Sequence, residues 1–183
     1  SPARAAMLTG RNVWELEEAA NLWGGFPSDL TVFPQLLEKE GYHVGIEGKG
    51  WGPGNHEASG WKENPGGKRY NTFEEFYNQV DRGQPWMYWF SSRDPHRPFG
   101  KSDNIDLDKI EVPPYLPDAK PVRKDMADYF SEIEDFDFEV GHLMSLVGEM
   151  GELENTIVII LSDNGWQMPR GLANLYDAGT RIP

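Results

Sequence analysis

Thr156-Ile157-Val158-Ile159-Ile160-Leu161 is an unbroken apolar run that leads straight into the polar turn Ser162-Asp163-Asn164-Gly165. Five of its six residues are β-branched, and such side chains suit the pleated backbone of a strand. Because no polar residue alternates with the apolar ones, the run predicts a central strand covered by helices on both faces. Immediately upstream, Val122 to Met150 is the clearest predicted helix. Met126, Tyr129, Phe130, Ile133, Phe136, Val140, Leu143, Met144 and Val147 recur there at spacings of three and four, and Gly151 follows as a cap. That stripe is read as core packing. Of the acids on the same helix, Glu132, Glu134, Asp135, Asp137 and Glu139, most are read as its solvated face.

Working outward, the pattern of strand and helix repeats. Tyr42 to Ile46 and the aromatic run Trp86 to Phe90 predict two further strands. Ala3 to Leu8, Leu30 to Glu40 and Thr72 to Val80 predict helices. Phe33, Leu36 and Leu37 form the apolar face of the second, and Thr72 is the N-cap of the third with Glu75 three residues on. Gly48 to Gly67 is glycine-rich and reads as a loop, as does the proline-rich stretch Asp94 to Pro117. Strands alternating with helices indicate the α/β class, with a mostly parallel sheet sandwiched by helices.

The chain has 183 residues, no cysteine and a net charge of −13. It is long enough for a domain with a real core. The acidic balance argues against nucleic acid as a partner, and no apolar run is long enough for a membrane span. The absence of cysteine excludes a disulfide or a thiolate metal site within it.

Four polar clusters fall at element ends, where open α/β sheets bind their ligands. Asp163 and Asn164 offer a carboxylate and an amide oxygen, donors suited to a hard cation, though Asp-Asn-Gly also reads as a plain turn. His96 stands between prolines in Asp94-Pro95-His96-Arg97-Pro98-Phe99. It is a candidate proton donor or anion contact, or else a surface turn histidine. Arg97 reads as an ion-pair or solvent-facing residue. Lys49, flanked by Gly48 and Gly50, is a cation for an oxyanion or a member of an exposed loop. Arg4 lies one turn inside the first predicted helix, whose amino end favours anions; the alternative is a surface ion pair.

Taken together and in order, these segments resemble the formylglycine-dependent sulfatases. Ser1 to Gly10 is similar to the family signature, in which Cys or Ser is followed by a spacer residue, Pro, a further residue and Arg, and then by Thr-Gly; here these are Pro2, Arg4, Thr9 and Gly10. Gly41-Tyr42 with Gly48-Lys49 looks like the second signature. Pro95 to Phe99 resembles the histidine segment, Asn155 to Gly165 the metal-binding strand, and Tyr176 to Pro183 the segment after it. The short spacing from Asp163 to Tyr176 and the Asp94-to-Arg97 segment look most like the sulfamidase (heparan N-sulfatase) branch.

The resemblance implies an alkaline phosphatase-like core and hydrolysis of a sulfate ester or sulfamate on a sulfated carbohydrate. It implies Ca²⁺ or Mg²⁺, and a formylglycine made by a maturation enzyme, either formylglycine-generating or anaerobic. The compartment it implies is periplasmic, secreted or lysosomal in type. By that register Arg4 would stabilise the formylglycine hydrate, Lys49 and His96 would contact the sulfate, His96 would assist the leaving group, and Asp163 and Asn164 would bind metal. The nucleophile would directly precede Ser1. Residues 1–183 would then be a partial catalytic domain lacking its N-terminal strand, nucleophile and C-terminal subdomain, and inactive alone. Two positions depart from the family: Trp51 stands where a histidine is frequent, and Leu172 where a sulfate-contacting lysine is frequent, with Arg170 near enough to substitute. A phosphoesterase or phosphonate hydrolase of the same superfamily, and a non-catalytic relative that binds sulfated glycans, are the competing readings.

Overall fold

The computed structural model of the chain describes residues 2–182. Its contacts divide the chain into two compact units, Ser1–Ser91 and Ser92–Pro183.

The first unit opens with helix α1 (Pro2–Thr9), which buries Ala5 and Leu8 and ends at Gly10, whose φ is +66°. Proline at the first helical position suits a helix start, since its missing N–H would have no partner there. Two 3₁₀ turns follow, Val13–Glu15 and Glu17–Ala20. Helix α2 (Phe33–Lys39) is shorter than predicted, and its buried flank is Val32 and Pro34. Phe33 and Leu36, expected on the core side, are exposed, with Phe33 stacked on Trp89 at 6.4 Å. Strand β1 (His43–Gly48) is central in a three-stranded parallel sheet of order β2-β1-β3. Its partners are β2 (Lys68–Arg69) and β3 (Trp86–Ser91), with Ile46 opposite both Arg69 and Trp89.

Helix α3 (Phe73–Tyr77) lies between β2 and β3 in the chain. Thr72 caps it, its hydroxyl accepting from the Glu75 amide at 3.1 Å. The Glu75 carboxylate reaches back to the amide of Asn71, one residue earlier than a capping box requires. Phe73 and Phe76 of α3 pack on Trp86 and Tyr88 of β3, and Phe76 also meets His43 and Tyr70. Bulk there requires a gap opposite: a Cβ on Gly45 would sit 2.5 Å from the Phe76 ring. Ala5, Leu8, Leu16, Ala19, Phe26, Leu30, Val32 and Trp51 make up the unit's other core cluster.

The second unit is built on α4 (Lys120–Glu149). The helix closes with Gly151 at φ +74° and with the Glu152 amide bonded to the Val147 carbonyl at 3.1 Å, which satisfies carbonyls the helix leaves open. Met126 and Ala127 pack with Ile110 and Met168. The apolar stripe is only partly covered, however: of the nine residues assigned to it, Met126 and Val147 are buried. On the acidic face Glu134, Asp135 and Asp137 are exposed, and Glu132 is the exception at 8% exposure.

The largest departure from expectation is the run 156–161. It forms no strand, and Ile157 and Ile159 are 89% and 74% exposed. A strand exists through cross-chain N–H···O=C pairing, and no described segment ladders with this one. Its composition therefore favours β structure without producing it. The unit ends with helix α5 (Asp177–Thr180). The parallel sheet and its helices still place the chain in the α/β class, as expected. No described helix is long and apolar enough to cross a membrane.

Candidate functional site

Arg4 and Lys49 belong to the first unit. Arg4 is buried, and its Nη1 donates to the carbonyl of Gly50 at 2.8 Å. The amino-terminal helix and the loop after β1 are thus joined by a guanidinium, with the exposed Lys49 beside the acceptor. The loop has little freedom. Gly48 has φ +75°, and a Cβ on it would lie 2.0 Å from the Ser91 carbonyl; Gly50 has φ +53° and packs against Ile46. Glycine is needed at both. Arg69, which sequence reasoning missed, adds a second clasp. Its Nη1 donates to the Gly48 carbonyl and its Nη2 to that of Lys49 at 3.5 Å. The available signal was its place at the carboxyl end of a strand just after Gly66-Gly67.

Trp51, the departure from the family's histidine, is a core residue at 2% exposure. Its ring meets Phe26 edge-on with centroids 5.1 Å apart. Asn64 holds its backbone from both sides, accepting from the Trp51 amide at 2.9 Å and donating to its carbonyl at 2.8 Å.

His96, Asp163, Asn164 and Arg170 belong to the second unit. The bonds Asp94–Pro95 and Arg97–Pro98 on either side of His96 are both cis. His96 is exposed, with Nδ1 at 2.6 Å from the Arg97 carbonyl. A carbonyl only accepts, so Nδ1 carries a proton and Nε2 is left as the atom that takes or gives one. Arg97 fastens this segment. Its guanidinium pairs with both oxygens of Asp125 at 2.8 and 2.5 Å, its Nε donates to the Gln167 carbonyl at 3.0 Å, and it lies over the Phe99 ring at 4.2 Å. Hydrogen bonding to Asp125 raises the guanidinium pKa further, so Arg97 is a fixed cation. Its backbone amide donates to Gln167 Oε1 at 2.5 Å. The histidine segment and the segment carrying Asp163 and Asn164 are therefore tied together through Arg97 and Gln167. Tyr129 adds to this by contacting both Phe99 and Trp166.

Asn164 Nδ2 donates to Asp163 Oδ1 at 2.7 Å, so the two side chains converge. Gly165 permits the close turn that follows: a Cβ there would overlap the Ala178 carbonyl. Among the described residues, no group of three or more His, Asp or Glu side chains is arranged to hold a metal ion. Asp163 and Asn164 fit a hard cation by donor type, as two adjacent oxygen ligands of the roughly six to eight that Ca²⁺ takes. Arg170 stacks on Tyr115 and Tyr176 at 5.4 and 5.0 Å, and its φ is +62°. Leu172 is 37% exposed. Ser1 and Pro183, the outermost residues of the two end motifs, lie outside the described residues.

Helix α4 supplies contacts that composition did not reveal. Asp125 holds Arg97, Asp128 accepts from the Ser102 amide at 2.7 Å, and Glu132 accepts from the Gly100 amide at 2.6 Å. Burial works against the Asp128 charge, yet the Ser102 amide and the Lys124 ammonium hold its pKa below the ordinary range. The spacing of three and then four along one helical face was the legible signal.

Comparison with known proteins bears on the family of the chain. Over 224 aligned positions the chain is 26% identical to human N-sulphoglucosamine sulphohydrolase, covering all of the chain and 44% of that protein. Over 75 residues it is 36% identical to an ulvan-active sulfatase of Formosa agariphila, covering 41% of the chain and 13% of that protein. It thus spans less than half the length of these curated relatives. The sulfatase family model matches residues 1–183, and the chain belongs to the sulfatase family.

Proposed function

We propose that the protein carrying this chain is a sulfatase that cleaves a sulfate ester or sulfamate on a sulfated carbohydrate. The observation that carries the reading is the clasp between Arg4 and the Lys49 loop, in a chain matched along its whole length by the sulfatase family. One relative's name specifies N-sulphoglucosamine and the other's ulvan, and both support a sulfated sugar.

Breaking an S–O or S–N bond pushes charge onto the bridging atom and the sulfuryl oxygens. Lys49 and Arg4 supply fixed positive charge for those oxygens, and Arg69 keeps the Lys49 backbone in place. His96 Nε2, with Nδ1 committed to the Arg97 carbonyl, gives a proton to the bridging atom as the bond breaks. Asp163 and Asn164 would hold a divalent cation through oxygen donors. Such an ion, with a formylglycine formed from a Cys or Ser encoded just before Ser1, would supply Lewis-acid and nucleophilic chemistry. Arg170 would lie at the edge of the substrate contacts, in the region where Leu172 offers no charge.

The test is sulfate release by the complete protein from N-sulfoglucosamine, ulvan oligosaccharides and an aryl sulfate, with an aryl phosphate as control. Sulfate release is expected, falling by about 10²-fold or more in Lys49→Ala and with chelator. Release of phosphate alone would move the assignment to a phosphoesterase. Binding without release would make the protein a non-catalytic relative. A residue other than Cys or Ser encoded before Ser1 would remove formylglycine from the scheme.

A further inference from the structure

Resting on the sulfatase reading, we propose that a cleft between α2 and the loop 60–67 is a subsite for an unsulfated sugar ring of the carbohydrate chain, next to the loop that carries Lys49. The cleft has a volume of about 370 Å³ and lies wholly within the first unit. That volume falls in the range of small-molecule sites. Gln35 and Glu38 of α2 line one side, three residues apart and so on one helical face. Trp61, Lys62, Glu63 and Asn64 line the other, and Ser28 also borders the cleft.

Trp61 is fixed before any ligand arrives. Its Nε1 donates to the Phe26 carbonyl at 2.8 Å, and its ring meets the Phe26 ring nearly at right angles with centroids 5.4 Å apart. With its one donor used, the indole offers a ligand only aromatic surface, which suits the C–H face of a sugar ring. The side chains of Ser28, Gln35, Glu38 and Glu63, by contrast, have no hydrogen-bond or ion-pair partner among the described residues. A carboxylate only accepts, so Glu38 and Glu63 call for a ligand that donates. Sugar hydroxyls donate. A sulfate ester does not, and its charge would meet two carboxylates against the single ammonium of Lys62. The cleft therefore takes an unsulfated ring and rejects a sulfated one.

Asn64 joins the cleft to the Lys49 loop. It borders the cleft and bonds both backbone groups of Trp51. A Cβ on Gly50 would stand 2.8 Å from its Oδ1, so Gly50, the neighbour of Lys49, packs directly on it. The two surfaces meet at one side chain, and a carbohydrate held at Lys49 has its neighbouring ring beside the cleft.

The test is binding to the complete protein, read from the Trp61 indole N–H signal in NMR and assigned with Trp61→Phe. The probes are tetrasaccharides of N-acetylglucosamine and of glucose, their O-sulfated counterparts, and n-butylamine as a simple cation. At least one unsulfated tetrasaccharide is expected to shift the signal, with its sulfated counterpart binding about 10-fold or more weakly. Glu38→Ala and Glu63→Ala, both at exposed positions, are each expected to weaken binding about 10-fold. Glu38→Gln combined with Glu63→Gln keeps the acceptors without the charge and is expected to narrow the gap between sulfated and unsulfated sugars. No shift with either unsulfated tetrasaccharide overturns the proposal, as do equal binding of the sulfated forms and binding indifferent to both alanine variants. Displacement of the sugar by n-butylamine would mark a cation site and overturns it too.

Turnover separates this subsite from the sulfatase reading. If sulfate is released, a sulfated ring joined to unsulfated rings is expected to show a KM about 10-fold below that of the sulfated monosaccharide, an advantage that Glu38→Ala removes. Equal KM values overturn the subsite and leave the sulfatase standing. If no sulfate substrate turns over, binding at Trp61 supports the cleft as a sugar site while the sulfatase reading fails, and its absence overturns the cleft as well.

Discussion

Strand β1 and the run 156–161 are both short and followed by a polar loop with candidate ligands, yet only β1 is laddered. β1 has a parallel neighbour on each side, and its Val44 and Ile46 are buried. The run from Ile157 to Leu161 is richer in β-branched residues and stays unpaired and exposed. The difference shows what apolar composition measures. It records a preference for burial and for extended backbone, while the backbone partners that create a strand come from elsewhere in the sequence.

The strongest way to break this comparison is truncation of a buried side chain in the laddered strand. Ile46→Ala is expected to destabilise the protein by about 2–5 kcal/mol in urea unfolding, since both transfer energy and packing are lost. A loss under 1 kcal/mol would mean that β1 is not the core strand described here. A subtler effect sits at the start of the same strand. Burial first, and then the Lys68 charge, depress the His43 pKa, with Asp81 opposing them, while its Nε2 lies 2.9 Å from the Tyr70 hydroxyl. A depressed imidazole is neutral in the folded state where the unfolded chain would take a proton. Stability from this site is thus present above the ordinary His pKa and declines as pH falls below it. His43→Gln is expected to make the urea midpoint less sensitive to pH between about 7 and 5. The smallest effect is expected in the unpaired run, where Ile159→Ala should change stability by no more than about 0.5 kcal/mol. A cost near that of Ile46→Ala would show the run buried in the complete protein and erase the contrast.

The chain's own periodicity made much of the fold legible. The spacing of three and four foretold α4, the aromatic run foretold β3, and Thr72 with Glu75 marked the start of α3. Sequence placed the clusters at element ends, because glycine and proline punctuation stands out there. What stayed hidden was the direction in which side chains point. Trp51 stands between two glycines and looks like loop, but it fills the core against Phe26. Glu132 shares its helix with surface acids, and only the approach of Gly100 makes it an anchor. Arg69 sits in a strand of two residues, too short for a pattern to reveal. Each of these depends on contacts distant in sequence.

Lys49 and Trp51 stand one glycine apart, the first exposed beside the Arg4 clasp and the second packed in the interior. That spacing links two kinds of selection that usually act on separate residues. A descendant that replaced the indole with an imidazole, to gain a polar group near the lysine, would leave a void beside Phe26. The two bonds of Asn64 to position 51 run to backbone atoms, so they hold the loop in the same pose and do not relieve the void. Filling that void would require enlarging neighbours such as Ala5, which belongs to the helix carrying Arg4. The route to a histidine at this position therefore passes through several coordinated replacements, and a lineage already holding tryptophan is steered toward new specificities elsewhere along the loop.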